Sequence, residues 1–136
     1  MNTPLVQADC DALQAAIATL SELIPAFIFQ FRAARVDLDG ISRELASLRI
    51  ILALLAVDSN DGIPVVLSDR LQSQIRGIVV NCTNVISDIE SSIESSINSE
   101  KSMDWSISAK QIMVTHRPVL EAHRCALEIT LEMLPL

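Results

Sequence analysis

Residues 10–55 read CDALQAAIATLSELIPAFIFQFRAARVDLDGISRELASLRIILALL, and this stretch decides the fold. Cys10, Leu13, Ile17, Leu20, Ile24, Phe27, Phe31, Ala34, Leu38, Ile41, Leu45, Leu48, Leu52 and Leu55 follow one another at alternating gaps of 3 and 4, and every one is apolar. That spacing returns to the same face of an α-helix at each step, so it describes one continuous buried seam. Pro25 falls within it. Its ring disfavours helical geometry at Ile24 and removes a hydrogen-bond donor. The reading is therefore two helices sharing one seam, from about Pro4 to Leu23 and from about Pro25 to Val57, with a single helix kinked at Pro25 as the alternative. Val36, Ile50, Ile51 and Leu54 widen the stripe on the second of these. A wide stripe suits a globular bundle better than an isolated two-stranded coil.

Beyond this stretch the segment Asp58-Ser59-Asn60-Asp61-Gly62 is polar and breaks the pattern. Pro64 suits the first turn of a third helix, with Asp61 or Ser68 as its cap. Its seam reads Leu71, Ile75, Ile78, Cys82, Val85 and Ile89. Ile93 and Ile97 continue it, but Glu90-Ser91-Ser92-Ile93-Glu94-Ser95-Ser96-Ile97 offers one apolar residue per turn, so a solvated, fraying end is expected there. Asn98 to Ile107 reads as a second loop whose Trp105 would plug one end of the bundle. Ser108 can cap a last helix from Ala109 to Leu134, with Met113, Val119, Leu120, Ala126, Leu127, Ile129, Leu131 and Leu134 as its apolar set and Pro118 expected to kink or split it. The fold class is all-α: an antiparallel four-helix bundle, five helices if Pro25 or Pro118 splits one, in a single domain over 1–136.

Composition agrees. Half of the 136 residues are apolar, enough for one core at this length, while aromatics make up 3%. The core must then be built from Leu, Ile, Val and Ala. With 3 glycines and 5 prolines the chain lacks the turn residues of an all-β fold. A net charge of −7 repels phosphate backbones and argues against nucleic acid as a partner. It also argues against a generic grip on anionic lipid. Cys10, Cys82 and Cys125 are odd in number and widely spaced, which reads as reduced thiols in a cytoplasmic protein. The first basic residue is Arg32, so no secretory leader is expected. Nor is a bilayer span: Leu23–Phe31 lies between Glu22 and Arg32, and Ile50–Val57 between Arg49 and Asp58.

The residue types that carry catalysis are present without the spacing that catalysis needs. Gly40, Gly62 and Gly77 stand apart and form no phosphate-cradling loop. His116 and His123 are seven apart, about 10.5 Å along a helix, too far for one metal ion with bonds near 2 Å. His123 and Cys125 point to different helix faces. Asp37 with Asp39 and Glu128 with Glu132 read as solvated carboxylates, and Arg35, Asp39 and Arg43 as a surface ion-pair ladder. Asn81-Cys82-Thr83 matches a glycosylation acceptor but falls mid-helix. No catalytic, cofactor-binding or metal-binding residue is assigned, and no small-molecule substrate is expected. Phe29 lies off the seam that Phe27 and Phe31 occupy. It packs against another helix or, if exposed, marks a contact site; with Leu5 and Val6 it forms the candidate interaction surface.

Three blocks carry a family resemblance. Residues 31–48, FRAARVDLDGISRELASL, residues 75–82, IRGIVVNC, and residues 120–129, LEAHRCALEI, resemble the signature of fungal HeLo-like domains. Those domains stand at the N-termini of STAND or NLR-like and ankyrin-repeat proteins. The resemblance covers roughly Leu13 to Leu134, and its motifs are helix-packing patterns that specify a fold more strongly than an activity. It implies a bundle similar to those of fungal programmed-cell-death proteins and of the mixed-lineage kinase-like pseudokinase. It further implies oligomerisation and action on a membrane once a sensor assembles. Execution-competent relatives often begin with an apolar Gly/Ala-rich segment. Here Asp9 and Asp11 lie near the start and make insertion costly. The expected function is a non-enzymatic signalling module in the cytoplasm that self-associates and reaches membranes on activation. The alternative is a passive adaptor that binds a partner helix.

Overall fold

The computed structural model describes residues 3–30, 34–60, 69–98 and 107–133. They form four helices and, among the described residues, no strand: α1 (Thr3–Gln30), α2 (Arg35–Asn60), α3 (Asp69–Asn98) and α4 (Ile107–Glu132). The predicted seam supplies the α1 and α2 side of the core. Cys10, Leu13, Ile17, Leu20, Ile24 and Phe27 are buried on α1, followed by Ala34, and Leu38, Ile41, Leu45, Leu48 and Leu52 on α2. Leu55 is half-buried at its end, and Phe31 lies outside the described residues.

The helices form a four-cornered bundle. α1 packs against α2 and α3, and α4 packs against the same two, so α1 lies diagonal to α4 and α2 diagonal to α3. Ile24 to Phe29 on α1 share a recess with Arg35 to Ser42 on α2, so these two run antiparallel across their turn. Along α2 and α4 the pairings advance together, from Gly40 with Arg117, through Glu44 with Arg124, to Leu54 with Leu131. Those two helices therefore run in the same direction. The salt bridge between Asp9 and Arg76, both near helix starts, aligns α1 and α3 likewise. Direction alternates along the chain, as an antiparallel bundle requires, and the α2–α3 connection spans the diagonal.

The structure moves several boundaries. Pro25 does not divide the first seam; α1 continues through it to Gln30, and α2 begins only at Arg35. Pro118 likewise lies within α4. Both prolines are exposed, and each removes the donor to the carbonyl four residues earlier, that of half-buried Ser21 and of exposed Val114. No fifth helix forms among the described residues. On α3 the buried stripe is Gln72, Ile75, Val79, Cys82, Ile86, Ile89 and Ile93, whereas Ile78 and Val85 are half-buried shoulders. The end expected to fray stays helical to Asn98 and buries Ile93 fully. α4 starts at Ile107, so Ser108 lies inside the helix rather than capping it. Within its expected apolar set, Val119 and Ile129 are exposed. Val6–Phe29 is long and apolar enough to cross a membrane by length and composition, with a mean hydropathy of 1.6, contrary to the expectation of no such stretch. Asp9, Asp11 and Glu22 are diluted over the helix rather than clustered. A core helix meets the same criterion. Pro64, Asp61, Ser68, Trp105 and Leu134 lie outside the described residues.

Gly77 is an exposed position inside α3, and a methyl group placed on it meets nothing within 4 Å. Glycine costs about 0.8–1.0 kcal/mol relative to alanine in a helix interior. Gly77→Ala should therefore stabilise the bundle by about that amount and raise Tm by a few degrees in thermal unfolding. A loss of stability would show that this face of α3 is covered in solution.

Candidate interaction surface

Among the described residues, two ion pairs join neighbouring helices. Arg124 Nε donates to Glu44 Oε2 at 2.6 Å, joining α4 to α2, and its Nη1 donates to Glu128 Oε1 at 2.9 Å. Arg124 and Glu44 are mostly enclosed, with side chains 19% and 14% exposed. Hydrogen bonding to Glu44, then to Glu128, holds the guanidinium further above its ordinary value. Arg76 Nε donates to Asp9 Oδ2 at 2.9 Å, joining α3 to α1 in a more open setting. Of the expected surface ladder, Arg35 and Asp39 pair at 3.8 Å with both side chains largely exposed, where such pairs contribute little. Glu128, expected to be merely solvated, is bound by Arg124.

Between these ties the outer surface carries shallow recesses. One follows α2 and α4, lined by Ser47, Ile50, Ile51 and Leu54 on one wall and Glu128, Leu131 and Glu132 on the other. Ile50 is 64% and Leu54 51% exposed there. A second lies at the α1–α2 turn, where Pro25, Ile28 and Phe29 face Arg35, Asp39 and Ser42. Phe29 is 84% exposed, so of its two expected positions the outward one holds. Val6 is half-buried against the core at the far end of α1, and the Leu5 side chain lies outside the described residues. The candidate trio therefore does not form one patch: Phe29 and Val6 sit near opposite ends of α1. Nearer the start of α4 the Arg117 side chain lies across buried Gly40, where an added methyl would come within 2.7 Å of Nε. The α2 stripe expected to widen the bundle-facing surface does so only at Ile51, whereas Val36, Ile50 and Leu54 are exposed. That α4 would leave Ile50 and Leu54 open was not visible in the sequence.

His116 and His123 are both half-buried on α4. Among the described residues no group of three His, Cys, Asp or Glu side chains could hold a metal ion. All three cysteines are free, Cys10 and Cys82 buried and Cys125 half-buried. Burial pushes the Cys82 thiol from 9.0 up to about 12, and burial with Asp11 and Asp9 nearby pushes Cys10 up to about 11. At mildly alkaline pH a chromogenic thiol reagent should label Cys125 first. Cys82 and Cys10, buried and held protonated by that burial, should react only as the bundle opens. Three equally fast thiols would contradict the buried seam. Because these two groups hold their protons more tightly when folded, their contribution to stability is complete below about pH 9 and is lost as pH rises toward 11–12.

Comparison with protein-family models, with curated proteins and with solved structures gave no match. Fold and surface define an all-α four-helix bundle with shallow recesses on its outer faces.

Proposed function

We propose that this chain is a non-enzymatic signalling bundle of the HeLo-like kind, acting in the cytoplasm through self-association. The observation that carries the reading is Phe29, a large aromatic 84% exposed beside Pro25 and Ile28 at the α1–α2 turn. The core is complete without it, so burying it in a contact with another chain is favourable and costs the fold nothing. Light scattering across a wide concentration range tests this. The mass should rise above 14.9 kDa with concentration, and Phe29→Asp should return it to the monomer value. A monomer at every concentration would sink the reading.

A second reading adds a membrane. Val6–Phe29 has the length and hydropathy of a span, and only 28% of its apolar window is buried in the bundle. Its outer face carries Ala12, Ala15 and Ala18, all exposed. The purified chain would then release dye from lipid vesicles, and Ala15→Lys with Ala18→Lys, which leave the core untouched, would abolish release. Intact vesicles at all protein concentrations would remove the membrane and leave the self-associating bundle.

A further inference from the structure

Resting on the reading of this chain as an interaction module, we propose that the α2–α4 recess is a second, separate docking site, and that its occupant is a basic amphipathic helix of another protein. The floor is apolar: Ile50, Ile51, Leu54 and Leu131 line it, and Ile50 and Leu54 are more than half exposed. α2 and α4 run side by side in the same direction, so the recess is a trough between helices, the shape that receives the apolar face of a third helix.

The charge at its edge selects the occupant. Glu128 and Glu132 stand one turn apart on the α4 wall. Glu44 lies just behind, and Arg124 is the cation bonded among them. Glu44 on α2 with Glu128 and Glu132 on α4, against Arg124 bonded between the first two, leaves two carboxylate charges unmatched at this edge, on a chain whose net charge is already −7. A helix with lysine or arginine beside its apolar stripe meets both features, with apolar residues at i, i+4 and i+7 on the floor and cations against Glu128 and Glu132. A second copy of this chain brings the same negative charge to the site and is the poorer fit.

The probe is a fluorescent helical peptide of about five turns, roughly 18 residues, with a leucine stripe flanked by lysines, compared with a counterpart whose lysines are glutamates. Anisotropy titration against the full chain should show the lysine peptide binding at least about tenfold more tightly, with the gap narrowing at high salt. Ile50→Asp with Leu54→Asp should abolish binding of both peptides, and Glu128→Lys with Glu132→Lys should reverse the preference. Circular dichroism confirms that these surface variants stay folded. Equal affinity for the two peptides, or binding indifferent to the Ile50 and Leu54 changes, overturns the proposal. If those changes instead disperse an oligomer that Phe29→Asp leaves intact, the trough belongs to a second copy and the basic partner is excluded, while the chain remains an interaction module. If light scattering finds only monomer and the lysine peptide still binds as described, self-association fails and the docking site stands.

Discussion

Phe27→Ala should destabilise the bundle by about 3–5 kcal/mol, the range for removing a buried phenylalanine and leaving a cavity. Phe27 is fully buried on α1 and is among the largest enclosed side chains in the core. With aromatics at 3% of the chain, Leu and Ile supply most of the neighbouring volume. Branched side chains locked in a close-packed interior collapse poorly into a void of that size. A domain of this length has on the order of 5–15 kcal/mol of stability in total, so the loss is a large fraction of it. Chemical denaturation should show the midpoint falling with little change in slope. Phe29→Ala is the internal control. Two residues away and 84% exposed, it should change stability by no more than about 0.5 kcal/mol in the monomer. Equal losses at the two positions would mean that α1 is turned about its axis relative to this structure.

Arg124→Met should cost about 2–3 kcal/mol. The substitution keeps most of the aliphatic stem but leaves Glu44, 14% exposed, facing α4 without its cation. Breaking a fully buried pair costs about 3–5 kcal/mol, and the partial exposure of both side chains here lowers that figure. Glu44→Met should cost a comparable amount for the converse reason. The double variant should recover much of the loss, because two apolar side chains of similar volume can pack where the ion pair was. A double-mutant cycle by urea unfolding measures this coupling. Strictly additive losses would show that the pair does not interact in solution. The contrast with Arg76→Met is informative: Arg76 is 40% exposed, so losing its bond to Asp9 should cost only about 0.5–1 kcal/mol.

The two experiments probe features of different legibility. Phe27 is assigned to the core by arithmetic on the sequence, since its place at alternating gaps of 3 and 4 puts it on the same face as Leu20 and Ile24. The Glu44–Arg124 pair joins residues 80 positions apart, and no local pattern announces it. At Pro25 the continuous helix holds rather than two helices, and Pro118 does not split α4; whether a helix tolerates a missing donor depends on what surrounds the freed carbonyl, which is a tertiary property. On α3, residues 75, 82 and 89 belong to two overlapping stripes, one through Ile78 and Val85 and the other through Val79 and Ile86. All four are apolar, so the choice fell to the position of α3 between α1 and α4. Ile93, alone on its turn, is fully buried, which its local pattern does not announce.

By itself the sequence determined that this chain is helical, that one heptad-spaced seam supplies the α1 and α2 side of its core, and that its thiols at positions 10 and 82 lie within that core. Those properties follow from side-chain periodicity along a single helix, which is local information. Only the tertiary structure decided that α2 lies beside α4 and diagonal to α3, which arginine meets which carboxylate, and that Ile50, Leu54 and Phe29 stay uncovered. Periodicity tells a helix which face to hide but not which neighbour will hide it. That choice depends on how four apolar stripes, each slightly too wide for its partner, divide a shared interior.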